Sequence, residues 1–191
     1  MFLDRCSGEH MYLNITLNSA SEAGGGMYSF EGTTFLGSNS TLSANSIRKE
    51  EDETDVVPIG GAGVYVNGKG FHLEGFSVID SVSEKGGGIF VESESKGLFR
   101  SMRIANNRAT QSQGGGGLYI SADSDIEITD TLIEKNNGAE GGAMSIDSAK
   151  VDMMRVTFFN NTAQGNGGAI MIKGEHAIVS VLHSTFDSNT A

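Results

Sequence analysis

Cysteine, proline, tryptophan and positive charge are all scarce in this chain. Its single cysteine, Cys6, excludes an internal disulfide and reads as an ordinary thiol. One proline and no tryptophan in 191 residues leave the turns to be made by other residue types. Thirteen Lys and Arg stand against 24 Asp and Glu, a formal net charge of −11. That balance argues against nucleic acid or an anionic membrane as partner, since both require a basic face. No run approaches the ~20 apolar residues of a membrane span, so direct membrane insertion by this chain is not expected. The opening MFLDRCSGEHMYLNITLNS has neither the basic n-region nor the apolar h-region of a signal peptide. His10, His72, His176 and His183 form no H-E-x-x-H pair, so no metal is expected. GVYVNGKG (63–70) is one residue short of a phosphate-binding loop, with Gly70 where Ser or Thr should hold magnesium. No cofactor is expected. Three N-x-S/T triplets, at Asn14, Asn39 and Asn160, matter only on a eukaryotic secretory route.

What the chain does have is glycine, 27 residues of it, with abundant Ser, Thr and Asn. This mixture suits many short strands joined by tight turns. The glycines fall in clusters, and each cluster is followed by an apolar anchor: Met27, Val64, Ile89, Leu118, Met144 and Ile170. The anchors are spaced 37, 25, 29, 26 and 26 residues apart. Between them recurs an apolar-x-x-Asn phrase: Ile15…Asn18, Leu42…Asn45, Ile104…Asn107, Ile133…Asn136, Phe158…Asn161 and Phe186…Asn189. In one turn Val78…Ser81 takes its place. A period of 25–29 residues with three short apolar segments fits one coil of a parallel β-helix. Strand one is the alternating pair after the glycines, such as Ile89/Val91 or Leu118/Ile120. Strand two holds pairs such as Phe71/Leu73 and Ile126/Ile128, and strand three begins at the apolar-x-x-Asn residue. A helical reading fails because glycine clusters interrupt every period. Asn18, Asn45, Asn107, Asn136, Asn161 and Asn189 are expected to stack one coil apart at about 4.8 Å and to hydrogen-bond as a ladder.

GGAI at Gly167–Ile170 and FxxN at Phe158–Asn161 and Phe186–Asn189 are similar to the two tetrapeptides of the polymorphic outer membrane protein repeats of chlamydiae. GGAM at Gly141–Met144, GGGI at Gly86–Ile89 and GGGL at Gly115–Leu118 are degenerate forms, so the resemblance covers nearly the whole chain. It implies a right-handed parallel β-helix in an exported surface protein, commonly a passenger used for adhesion.

Residues 1–191 are therefore expected to form one all-β domain. It is a right-handed, single-stranded parallel β-helix of about seven coils with three short strands per coil. Without a visible polar cap at either end, it is expected to be a segment of a longer repeat array that self-associates end to end. An acidic insertion, SIRKEEDETDVVPI (46–59), is expected to loop out into solvent.

The alternation also places candidate sites. One past each anchor, Tyr28, Tyr65, Phe90 and Tyr119 fall outward on consecutive coils. They form a candidate binding stripe for sugar rings or a protein partner. Glu92 and Asp147 lie two residues further along, two coils apart or about 9.5 Å. They are the best carboxylate pair for glycoside chemistry, though with no Arg or His in register. The expected function is a non-catalytic, adhesin-like scaffold, extracellular or on the cell surface, that binds a glycan or a protein. The alternatives are a polysaccharide lyase- or hydrolase-like β-helix enzyme and a pure stalk.

Overall fold

The computed structural model describes residues 1–5, 7–11, 13–47 and 60–191. Cys6 and residues 48–59 of the acidic insertion lie outside the described residues.

Three parallel sheets enclose one apolar lumen. The first has seven strands stacked in chain order: Phe2–Asp4, Met27–Phe30, Val64–Asn67, Ile89–Val91, Leu118–Ile120, Met144–Asp147 and Ile170–Lys173. Each pairs with its equivalent one coil away, as in the register Val64↔Ile89↔Leu118↔Met144↔Ile170. Seven stacked strands make about six full turns, close to the seven coils expected. The second sheet holds twelve strands and takes in both of the next two runs of each coil. In a regular coil these are Lys96–Arg100 and Arg103–Ala105; at Thr34–Ser43 and Lys69–Ile79 they merge into one long strand. The third sheet has six strands of two residues each, such as Arg108–Ala109 and Thr162–Ala163. The ladder asparagine therefore splits the expected third run, with one piece before it and a short piece after it.

Alternation fills the lumen. Met27, Val64, Ile89, Leu118 and Met144 are fully buried, as are Leu42, Val78, Ile104, Ile133 and Phe158 on the third run. Each such side chain contributes roughly 1.5–3 kcal/mol by leaving water. Successive coils place like residues above like, so the core is one continuous column.

The turn before each ladder position has a common cause. Leu17, Ala44, Asp80, Asn106, Lys135, Asn160 and Ser188 all adopt left-handed φ between 52° and 57°. Such a conformation costs roughly 1–2 kcal/mol for a residue with a Cβ. The neighbouring coil supplies the compensation. The N–H of Lys135 donates to the Phe159 carbonyl at 3.0 Å and that of Asn106 to Glu134 at 3.1 Å; Ala44 and Asp80 do likewise with Ile79 and Ala105.

The insertion is shorter than its sequence boundaries suggest. Ser46 and Ile47 already pair in the third sheet with Ser19 and Ala20, and Gly60 bridges to Ala23.

Candidate functional site

The aromatic row lies in the expected register, with Tyr28↔Tyr65↔Phe90↔Tyr119 paired strand to strand. The rings stack with centroids 4.7, 5.5 and 5.3 Å apart, and Phe2 adds a fifth ring below Tyr28 at 5.3 Å. Their expected exposure does not hold. Tyr65, Phe90 and Tyr119 are only 2, 4 and 4 % exposed, and Tyr28 is half-buried. Side chains from neighbouring segments cover the row: Ala23 packs against it, and Lys85, from the turn before Ile89, and Lys173, at the end of the last strand of the first sheet, sit over the Tyr119 ring at 5.3 and 5.5 Å. A sugar ring has no free aromatic face at these three positions.

Glu92 and Asp147 each serve a tyrosine of the preceding coil. Tyr65 donates its hydroxyl to Glu92, and Tyr119 donates to Asp147 at 3.1 Å. Lys173 Nζ stands 3.6 Å from Asp147, a cation in the row beyond the pair. Burial, reinforced by these carboxylates, pushes both phenols well above their ordinary value. An acid whose folded pKa is raised stabilises the fold below its unfolded pKa of about 10 and loses that contribution as pH climbs beyond it. The denaturation midpoint should therefore fall above pH ~10. It should fall less steeply in the Tyr65→Phe/Tyr119→Phe double variant, which keeps the rings and removes the titrating groups. Parallel pH profiles for the two proteins would remove the tyrosines from the account.

The asparagines sit inside the stack. Asn45, Asn107, Asn136 and Asn161 are at most 1 % exposed. The Oδ1 of Asn136 accepts from both the backbone N–H and the Nδ2 of Asn107, at 2.9 and 3.1 Å, and its own Nδ2 donates back to the Ile104 carbonyl and on to Asn161 Oδ1. The same pattern links Asn161 to Asn189 and Asn18 to Asn45. At Ser81 the side chain is too short to continue the ladder. Its hydroxyl donates to the Ile79 carbonyl, while its N–H still reaches Asn107 Oδ1.

The open, charged surface lies instead on the outer face of the second sheet. Register aligns Lys69, Lys96, Asp125 and Lys150 in one row and His72, Leu98, Glu127, Asp152 and Ser180 in the next. Between the rows runs a shallow groove of about 470 Å³ lined by Gly70, Lys96, Leu98, Asp125, Glu127 and Asp152, among others. Asp125 accepts from Lys96 and Lys150, both at 3.0 Å, and these two ammonium groups hold its carboxyl below its ordinary value. Lys150 also reaches Asp152 at 3.0 Å. Glu127 is exposed and has no ion pair among the described residues. Its register partner is Asp152, so the two residues are neighbours with backbones one strand spacing apart, about 4.8 Å.

Sequence reasoning missed this pair for a structural reason. Glu127 and Asp152 face each other through the regular pairing of Asp125–Thr129 with Lys150–Met154. One strand earlier Gly70 is a bulge, so Lys69 pairs with Lys96 but Phe71 with Gly97, whose missing side chain accommodates the Phe71 ring. DIEIT and KVDMM carry the required alternation, but the alternation alone does not set them against one another.

A stack of parallel strands around a single lumen, with a polar ladder interrupted at Ser81 and one open charged face, defines a β-solenoid. The family model of the right-handed β-helix region matches residues 5–191, and the chain belongs to that family. No curated protein and no solved structure matches it.

Proposed function

We propose that this chain is a non-catalytic β-helix scaffold, working outside the cell or at its surface, that holds a glycan or protein partner along the outer face of its second sheet. The observation that carries this reading is the groove between Lys96, Asp125, Glu127 and Asp152. It is open and lined by groups of both signs, and strand pairing holds it rigid. Polar ligands are recognised by such fixed donors and acceptors, and an extended ligand would run along the coil axis, where equivalent positions recur about every 4.8 Å. The net charge of −11 favours a neutral glycan or a basic protein surface over a polyanion. The resemblance of the GGAI and FxxN phrases to surface-protein repeats supports the location. The buried aromatic row acts in this reading as a structural spine.

One observation favours a second reading, a carbohydrate-active enzyme. Glu127 and Asp152 are adjacent carboxylates on the open face, as a glycosidase pair must be, whereas Glu92 and Asp147 are each engaged by a tyrosine. An array of neutral, basic and acidic glycans, followed by an assay for new reducing ends on any glycan bound, tests both. Wild type should bind without releasing sugar. Glu127→Gln/Asp152→Asn should weaken binding by about tenfold, the worth of one charge-assisted hydrogen bond. Sugar release by wild type that the same variant abolishes would replace the scaffold with the enzyme. Failure to bind any glycan or basic protein probe would leave a stalk.

A further inference from the structure

The groove of the second sheet lacks one cation, and we infer that its occupant is a basic polypeptide segment, one of whose lysine or arginine side chains lies on Leu98 and pairs with Glu127. The inference rests on the binding reading above and narrows its partner.

Charge is the first ground. Lys96 and Lys150 face three carboxylates in the groove, those of Asp125, Glu127 and Asp152. Both ammonium groups are engaged. Lys96 holds Asp125 at 3.0 Å, and Lys150 bridges Asp125 and Asp152, each at 3.0 Å. The nearest other basic side chains of this face turn to Glu74, His72 at 2.9 Å and Arg100 at 3.9 Å. Glu127 is left exposed, with no ion pair among the described residues. A ligand that brings one positive charge completes the groove, and one that brings a negative charge meets a surplus of carboxylate.

Register is the second. Leu98 pairs with Glu127 and Glu127 with Asp152, so the three stand in one row along the coil axis. Leu98 is half-buried and is the apolar member of that row. Gly70, one coil back, leaves the approach open, since a Cβ there would meet only the backbone of Gly32 at 3.8 Å. A lysine or arginine side chain has the complementary form. Its methylene stem covers apolar surface while its charged head stays at the polar end. With the stem on Leu98, the head falls at Glu127, next to Asp152. A neutral sugar ring brings hydroxyls and leaves Glu127 without a counter-charge. An amino sugar brings the charge and has no stem. Exposed ion pairs contribute little each, so the contact is weak and sensitive to salt.

Titration calorimetry on the 191-residue chain tests this with four probes. One is an acetylated, amidated heptapeptide alternating glycine and lysine. The second is the same peptide with diaminobutyric acid for lysine, which keeps the ammonium group on a shorter stem. A chitosan hexamer and maltohexaose are the third and fourth. The lysine peptide should bind most tightly. Glu127→Gln should weaken it by about fivefold. Glu140→Gln removes the same charge from the turn after Asn137–Gly138 and should weaken it by less than about twofold. Leu98→Ser should cost the lysine peptide about threefold and the short-stem peptide nothing. Unchanged urea midpoints show that the surface variants remain folded. Equal losses in Glu127→Gln and Glu140→Gln would mean that net charge alone holds the peptide, and would overturn the proposal. Equal losses of both peptides on Leu98→Ser would overturn the placement of the stem. A chitosan hexamer or maltohexaose bound more tightly than the lysine peptide, and released by Glu127→Gln, would overturn the basic segment and leave the binding scaffold standing. Binding of none of the four would remove both.

Discussion

Replacing Asn136 by alanine is expected to destabilise the stack by about 3 kcal/mol or more. The side chain makes four hydrogen bonds in a site closed to bulk water. Its removal leaves the N–H of Asn107 without its acceptor, takes one of the two acceptors of Asn107 Nδ2, which keeps the Val78 carbonyl, and takes a donor from the Ile104 carbonyl. Leaving a buried polar group unpaired costs about 1–3 kcal/mol, and the three groups lie too close together to relax independently. Asn39→Ala is the control. Asn39 is exposed and has a left-handed φ of 53°, so its replacement should cost only the local backbone preference, under about 1 kcal/mol. Urea midpoints at constant m-value measure both. Equal midpoints for the two variants would mean that the ladder contributes nothing beyond an ordinary turn.

Gly142→Ala is expected to cost a similar amount, about 3 kcal/mol, by a different route. The backbone at Gly142 is not left-handed, so conformation is not its difficulty. A Cβ there would press on the carbonyl of Gly168 in the next coil and on the backbone of Thr162. Neither can swing aside as a flexible side chain would, because both belong to the wall of the solenoid. Gly32→Ala separates the two effects. Gly32 has a φ of +55° but open space around it, so the substitution should cost only the ~1–2 kcal/mol of a left-handed alanine. Thermal denaturation should rank Gly142→Ala below Gly32→Ala, and the reverse order would mean that coil-to-coil contact at the glycine column is loose. The glycine clusters that mark each repeat therefore do more than make turns, since they set how closely one coil lies on the next.

These two sites, with the tyrosine–carboxylate pairs, describe a molecule whose rigidity comes from repetition along one axis. Nearly every stabilising contact joins a residue to its equivalent one coil away. A stack of this kind sets side chains at fixed intervals along its outer face, as the second sheet does with Lys96, Asp125 and Lys150.

The sequence by itself determined the coil, because a physical requirement repeated six times leaves a readable trace. An apolar side chain must face the lumen at each anchor, a short backbone must pass at each glycine pair, and an amide stands at every ladder position but Ser81. Only the tertiary structure decided what faces solvent. Tyr65, Phe90 and Tyr119 alternate as outward residues should, yet side chains from neighbouring segments, two lysines among them, cover the row, and no periodicity reports that. The left-handed turn ahead of each ladder position was equally hidden. Leu17, Ala44, Asp80, Asn106, Lys135, Asn160 and Ser188 share no side-chain chemistry, and for most of them a hydrogen bond from their own N–H to a carbonyl of the next coil holds the conformation. Glu127 and Asp152 became neighbours only through the pairing of Asp125–Thr129 with Lys150–Met154. Inward positions are constrained by burial and so show in the residue types. Outward positions are constrained only by what the finished fold sets beside them.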